Sequence, residues 1–151
     1  MDANKTPTAC PFVVDEARWP LVLVQVPPVA VENDDWAKLI AILDGLYLRG
    51  PFAVVYDAPT FVVPTATQRR LLANGIVRHE ALHPGKMMSI AIATQTRSLA
   101  TSLIRVLSWL APQRQPRRIF TDLDVAIAWT HERIAEAAAG TPSKQRSGHP
   151  W

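Results

Sequence analysis

The most chemically suggestive spelling in the chain is His79-Glu80-Ala81-Leu82-His83. Two histidines one helical turn apart, with a glutamate directly after the first, form the pattern in which both imidazoles ligate zinc and the carboxylate serves as general base. The chemistry would be metal-dependent hydrolysis, and it would need a third ligand and a central, buried helix. Here Arg78 stands beside the pair, and Pro84 and Gly85 stop the helix directly after His83. The preferred reading is a solvated helix end, where histidine suits the negative end of the helix dipole. No metal and no cofactor are expected, and a metal-dependent hydrolase is the third-ranked reading.

Asp57 closes the apolar run 52–56, at the end of a strand where open α/β sheets bind ligands. No Gly-rich phosphate loop, nucleophile elbow or Ser-His-Asp spelling accompanies it, so it reads as a turn residue and no catalytic residue is assigned. Arg69 and Arg70, with Arg114, Arg117 and Arg118, are a candidate anion site for a group such as a phospholipid head, provided the fold brings them together. Cys10 is the only cysteine; it lies near a terminus with no neighbouring histidine and reads as a passive thiol.

Composition narrows the class. Sixteen basic against thirteen acidic residues give a formal charge of +3 over 151 residues, too small an excess for a dedicated nucleic-acid binder unless it is gathered on one face. Part of it sits in the C-terminal segment with Lys144 and Arg146. The opening Met1-Asp2-Ala3-Asn4-Lys5 leads into polar residues, and no apolar stretch reaches membrane-spanning length. A cytoplasmic protein with no membrane insertion and no nucleic-acid partner is expected.

The elements that would position these residues follow from the apolar blocks. Runs 21–26, 52–56 and 88–93 are continuous and bounded by turn residues, as suits parallel strands covered on both faces. A short strand at 12–15 lies close enough before 21–26 for an antiparallel edge hairpin. Asn33 is the expected N-cap of a helix whose Trp36, Leu39, Ile40, Leu43 and Tyr47 share a face. The apolar loop 58–64 is expected to be partly buried, and Asp57, Thr60, Phe61, Val62 and Val63 are the candidate loop or pocket residues. Thr65 with Gln68 spells a capping box for a second helix packed through Leu71, Leu72, Ile76 and Leu82. A strand at 87–94, a helix at 97–110, a strand at 118–120 and a helix capped by 121–124, with Leu123, Ile127 and Ile134 inward, complete the count. The prediction is one α/β domain over 11–138, a mixed sheet of about five strands with four helices. Residues 1–10 read as a flexible start, and 139–151, poor in apolar residues, as a disordered tail.

The third helix carries more apolar surface than one sheet face needs. Leu99, Leu103, Val106, Leu107 and Leu110 form one stripe, and Ile104 and Trp109 widen it. Leu99, Leu103, Ile104, Trp109 and Leu110 are therefore the candidate interaction surface, for another protein or a second copy, with packing on the neighbouring helix as the plainer use.

The element order, with the stretch Arg118-Ile119-Phe120-Thr121-Asp122-Leu123-Asp124-Val125-Ala126-Ile127-Ala128-Trp129, resembles the STAS-like family of sulfate-transporter and anti-sigma-factor antagonist domains, in particular its SpoIIAA-like branch. Arg18-Trp19-Pro20-Leu21-Val22 is similar to a strand start in some bacterial relatives. The resemblance spans roughly residues 11–138. It implies a regulatory or scaffold domain, not an enzyme, that works through protein–protein contact by way of the third helix and the loop before the second. A carrier of a lipid or small apolar ligand is the alternative, since some relatives are grouped with CRAL-TRIO lipid-transfer domains.

Antagonist domains of this family carry an Asp-Ser-Ser-Gly-Leu-like turn after the third strand, whose hydroxyl a partner kinase phosphorylates. Here the stretch is Asp57-Ala58-Pro59-Thr60. Ala58 has no hydroxyl, and Pro59 removes an amide donor a phosphate would use. Intact mass and peptide mapping of protein from its native host should therefore show no phosphate on this turn; phosphate on Thr60 that altered partner binding would refute this.

Overall fold

The computed structural model describes residues 11–60, 62–110 and 115–140, apart from the side chains of Leu103 and residues 106–110. The chain forms β1 (Val13–Arg18), β2 (Leu21–Gln25), α1 (Asn33–Arg49), β3 (Phe52–Asp57), α2 (Ala66–Leu82), β4 (Met87–Ala93), α3 (Arg97–Leu110), β5 (Arg117–Phe120) and α4 (Leu123–Ala138). The sheet order is β1-β2-β3-β4-β5, with β1 antiparallel to β2 and every later pair parallel. This is the α/β domain with an edge hairpin and four helices that the apolar blocks predict.

Each parallel connection steps to the next strand in the same direction, and right-handed crossovers then place α1, α2 and α3 on one face. Val22, Val24, Phe52 and Val54 meet Leu39, Leu43, Leu46 and Tyr47 on that face. Successive strand residues point to opposite faces. Leu21, Leu23, Val55, Ala91 and Ala93 accordingly meet α4 through Ala126 on the other face, with Leu123, Ile127 and Ile134 half-buried beside them.

Strand β4 shows how the sequence separates the two layers. It alternates in size rather than polarity: Ile90 and Ile92 point toward the three-helix layer, and Ser89, Ala91 and Ala93 toward α4. The small side leaves room for the helix backbone to approach, and the fully buried Ala126 and Thr130 line the approaching face. Thr130 satisfies its hydroxyl by donating to the Ala126 carbonyl at 2.8 Å.

The boundaries differ from expectation in three places. β1 continues past residue 15 to Arg18, because a register shift between Asp15 and Arg18 keeps the strand paired up to the Trp19-Pro20 turn. In that irregular stretch the Asp15 carboxylate accepts the Ala17 N–H at 2.9 Å. β5 begins at Arg117 rather than 118, with Arg117 paired opposite Ile90. The N-cap of α1 is Glu32, not Asn33: the Asp35 carboxylate reaches back to accept the Glu32 N–H at 3.1 Å, which makes Asn33 the first helical residue. Residues 1–10, 111–114 and 141–151, including most of the expected tail, lie outside the described residues.

The close approach of α4 gives a direct test. Ala126→Leu forces extra volume against Ala91 and Ala93 and should cost about 1–3 kcal/mol in urea unfolding. Val125→Leu, on the neighbouring exposed position, should stay within about 0.5 kcal/mol of wild type. Equal effects would mean that α4 does not pack through Ala126.

Candidate functional site

Two groupings of side chains lie between α1 and α2, one at each end of the helix pair. Both helices run opposite to the strands, so they are parallel to each other, and residues about 35 apart face one another. Gly75 lies against Ile40, where an added Cβ would stand 3.3 Å from the Ile40 Cγ2. One turn further on, Asp44 meets both Arg78 and His79.

At this lower end Arg78 Nη2 donates to the Asp44 carboxylate at 3.1 and 3.3 Å, and His79 Nε2 is hydrogen-bonded to Asp44 Oδ1. The Tyr47 ring stacks on His79 at 4.4 Å between centroids and on His83 at 5.5 Å. His79 is 4% exposed, which overturns the solvated helix end expected for it. The physical reason is on α1: Tyr47 supplies a flat apolar partner and Asp44 a hydrogen bond, so the imidazole can be buried. Burial opposes ionisation of Asp44, but the hydrogen bonds from His79 and Arg78 outweigh it and hold the carboxyl below its usual value. Burial pushes the Tyr47 phenol well up, helped by Tyr56, Glu80 and Asp44, and the ring stays neutral.

The polarity of the pair decides what it can do. In a catalytic His–Asp couple the carboxylate is buried and the imidazole faces the reactant. Here the imidazole is buried, and the Asp44 side chain is 45% exposed. The couple can lock two helices together, but it presents no base to a substrate. His83 ends α2 by donating its backbone N–H to the His79 carbonyl at 2.8 Å. Among the described residues no group of three His, Cys, Asp or Glu side chains converges as metal ligands would.

At the upper end, beyond the carboxyl ends of β2 and β3, lies an apolar crevice of about 20 Å³. One wall is Val26, Pro27, Val29 and Val31 from the loop before α1, with Trp36 from its first turn; the other is Val62, Val63 and Pro64, with Gln68 from the first turn of α2; Phe12 closes it. The expected capping box forms: Gln68 N–H donates to Thr65 Oγ1 at 3.1 Å, and Thr65 N–H to Gln68 Oε1 at 3.0 Å. Gln68 also donates through Nε2 to the Val31 carbonyl at 2.8 Å, which ties one wall to the other. Arg69 donates to the Pro64 carbonyl at 2.8 Å, and Phe12 packs on Trp36 with ring centroids 4.8 Å apart.

The sequence-predicted residues divide accordingly. Val62 and Val63 line the crevice; Asp57 and Thr60 are not among its walls, and Phe61 lies outside the described residues. Ile104 is not on an outer surface: it is buried with Ala100 against Ile119, because the fourth-residue spacing turns both toward the sheet. Leu99 is 41% exposed, and the side chains of Leu103, Trp109 and Leu110 lie outside the described residues. Arg69 and Arg70 are not gathered with Arg117 and Arg118. The first pair opens α2 after β3, whereas β5 lies two strands away and its successive arginines point to opposite faces. Sequence reasoning missed the wall formed by Val29, Val31 and Trp36. Its signal was the apolar Val29-Ala30-Val31 placed in a loop after Pro27-Pro28, the counterpart of the apolar loop before α2.

No protein-family model, curated protein or solved structure matches the chain.

The lowered Asp44 carboxyl sets a pH dependence. Its stabilisation is present above the ordinary carboxylate range near about pH 4 and is lost as pH falls through the lower folded value. Because Asp44 is nearly half exposed, solvent screening limits the gain to about 1 kcal/mol or less. Asp44→Asn should therefore melt below wild type at pH 7, and the two should converge in acid. A gap that widened in acid would refute the assignment.

Proposed function

We propose that this chain is a non-enzymatic regulatory or scaffold module of the STAS-like kind, which binds another protein through the crevice between the β2–α1 and β3–α2 loops. The observation that carries the reading is the crevice rim. Val29 is 61% and Val63 46% exposed, one on each wall of the same depression, so two solvent-facing aliphatic groups flank one concave lining. Pro27, Pro28, Pro59 and Pro64 restrict the backbone of both loops. A partner then meets walls that lose little freedom on binding.

Size separates this reading from the carrier alternative. Pockets for small molecules commonly enclose about 300–1,000 Å³, whereas this crevice encloses about 20 Å³. The hydrolase alternative finds little support in His79, whose Nε2 is engaged by Asp44. No helix among the described residues is long and apolar enough to cross a membrane.

The test compares wild type with Val63→Asp and with Leu48→Ser, a control on an exposed leucine of α1. Proteins captured from the native host on the immobilised chain are identified, produced pure and titrated. Val63→Asp should weaken binding roughly tenfold or more while Leu48→Ser leaves it intact, and both variants should unfold within about 0.5 kcal/mol of wild type. A purified partner that bound Val63→Asp as tightly as wild type would remove the crevice from the interface, and a lipid retained in native mass spectra would favour the carrier.

A further inference from the structure

Among the described residues the two most exposed large apolar side chains are Leu48, at 77%, and Leu82, at 64%. Each stands in the last turn of its helix, α1 or α2, at the amino ends of the parallel strands. Asp44 and Arg78 touch across the two helices, and Leu48 and Leu82 lie four residues further on. The helical repeat therefore carries the same two rows one turn down, to a pair of neighbouring leucines. Cations stand around them. Arg49 follows Leu48 and lies 4.1 Å over the half-buried Trp19 ring, and the exposed Arg18 precedes Trp19 at the β1–β2 turn. Lys86 gives its carbonyl to the Phe52 N–H at 2.9 Å, beside the start of β3. Glu16, bonded to Arg49 at 2.7 Å, and Glu80 offset these charges only in part. We infer that this lower end of the domain docks on an anionic lipid surface, with Leu48 and Leu82 entering the headgroup boundary and Arg18, Arg49 and Lys86 facing lipid phosphates.

Three features select this occupant. Exposures this high leave each leucine standing clear of its neighbours, whereas the anchors of protein interfaces sit in packed pockets. A bilayer needs no pocket, since an apolar tip sinks into the acyl boundary while cations beside it meet the headgroups. Trp19, an apolar ring with a polar N–H, suits the same depth. A polynucleotide would reward the cations but not the aliphatic pair. Charge also has a direction along the molecule. Glu32, Asp34 and Asp35 before and in the first turn of α1, with Asp57, Asp122 and Asp124, gather at the opposite end, offset in part by Arg69, Arg70 and Arg97. The lower end is thus the one an anionic surface attracts. The last helix, α4, ends there as well, and the sequence after Gly140 continues with Lys144 and Arg146. Docking in this way turns the crevice, beyond the carboxyl ends of β2 and β3, away from the bilayer. The inference goes beyond the protein-binding reading above and does not depend on it.

The experiment sediments the full chain with vesicles of phosphatidylcholine alone and with vesicles that contain about 30% phosphatidylserine. Binding should favour the anionic vesicles roughly tenfold or more and weaken as salt rises. Arg18→Gln with Lys86→Gln, and separately Leu48→Ser with Leu82→Ser, should each lower it roughly tenfold. Val63→Asp, in the crevice, should bind vesicles as wild type does. Thermal melting of each variant separates lost binding from lost fold, and Leu48→Ser alone replaces the leucine pair if the pair unfolds. Equal binding to neutral and anionic vesicles, or binding that the leucine variant leaves intact, overturns the inference. So does a purified partner protein that the leucine variant loses while wild type ignores both kinds of vesicle, which would make the lower end a protein interface. Failure to bind vesicles leaves the crevice reading standing, since Val63→Asp reports on that surface separately.

Discussion

Two helices that run parallel over adjoining strands must agree in register along their whole contact, and in this chain α1 and α2 do so at three heights. Gln68 holds the Val31 carbonyl at the top, Gly75 admits Ile40 in the middle, and Asp44 grips Arg78 and His79 at the bottom. Each contact is of a different kind: a side chain bonded to backbone, a missing Cβ, an ion pair with a stacked imidazole. A slide of one helix by a turn would break all three. The upper crevice inherits its shape from this arrangement, since its walls are the loops that feed the two helices.

The same logic accounts for where polar side chains are buried. His79, Gln68 and Thr130 are buried with their hydrogen bonds met inside the chain, and each joins or closes a helix. A satisfied buried polar group fixes geometry at little net cost, whereas an unsatisfied one is expensive. Trp36 Nε1 and Ser89 Oγ are contrasting cases, buried polar atoms without a hydrogen-bond partner among the described residues.

The fold was legible because its signals are local. Continuous apolar runs, prolines after strands and the Thr65–Gln68 and Asp122 caps each act within a few residues, and the β1–β2 hairpin follows from its short connection. What escaped the sequence depends on contacts about 35 residues apart. His79 read as a helix-end residue because nothing near it announces Tyr47 and Asp44, which bury it from the neighbouring helix. Leu82, expected in the packing face of α2, is 64% exposed, since the face turned toward α1 runs through Gln68, Gly75 and His79 instead. The crevice was half legible: Val62 and Val63 stand in a loop whose apolar character is plain, but the facing wall could be joined to it only once the two loops were known to be neighbours. The four arginines show the reverse, a grouping by charge that sheet order separates.

The irregular outer strand has a consequence for how the molecule can assemble. An open sheet edge is a template for further strands from other chains, and proteins blunt it with kinks and charge. On β1 the register breaks after Asp15, and that carboxylate takes up the Ala17 N–H within the strand itself. The opposite edge, β5, is four residues long and opens on two arginines. Neither border suits the growth of a continuous intermolecular ladder, so encounters with other proteins are steered away from backbone addition, and with it from the route toward fibrous aggregation, and left to side-chain surfaces.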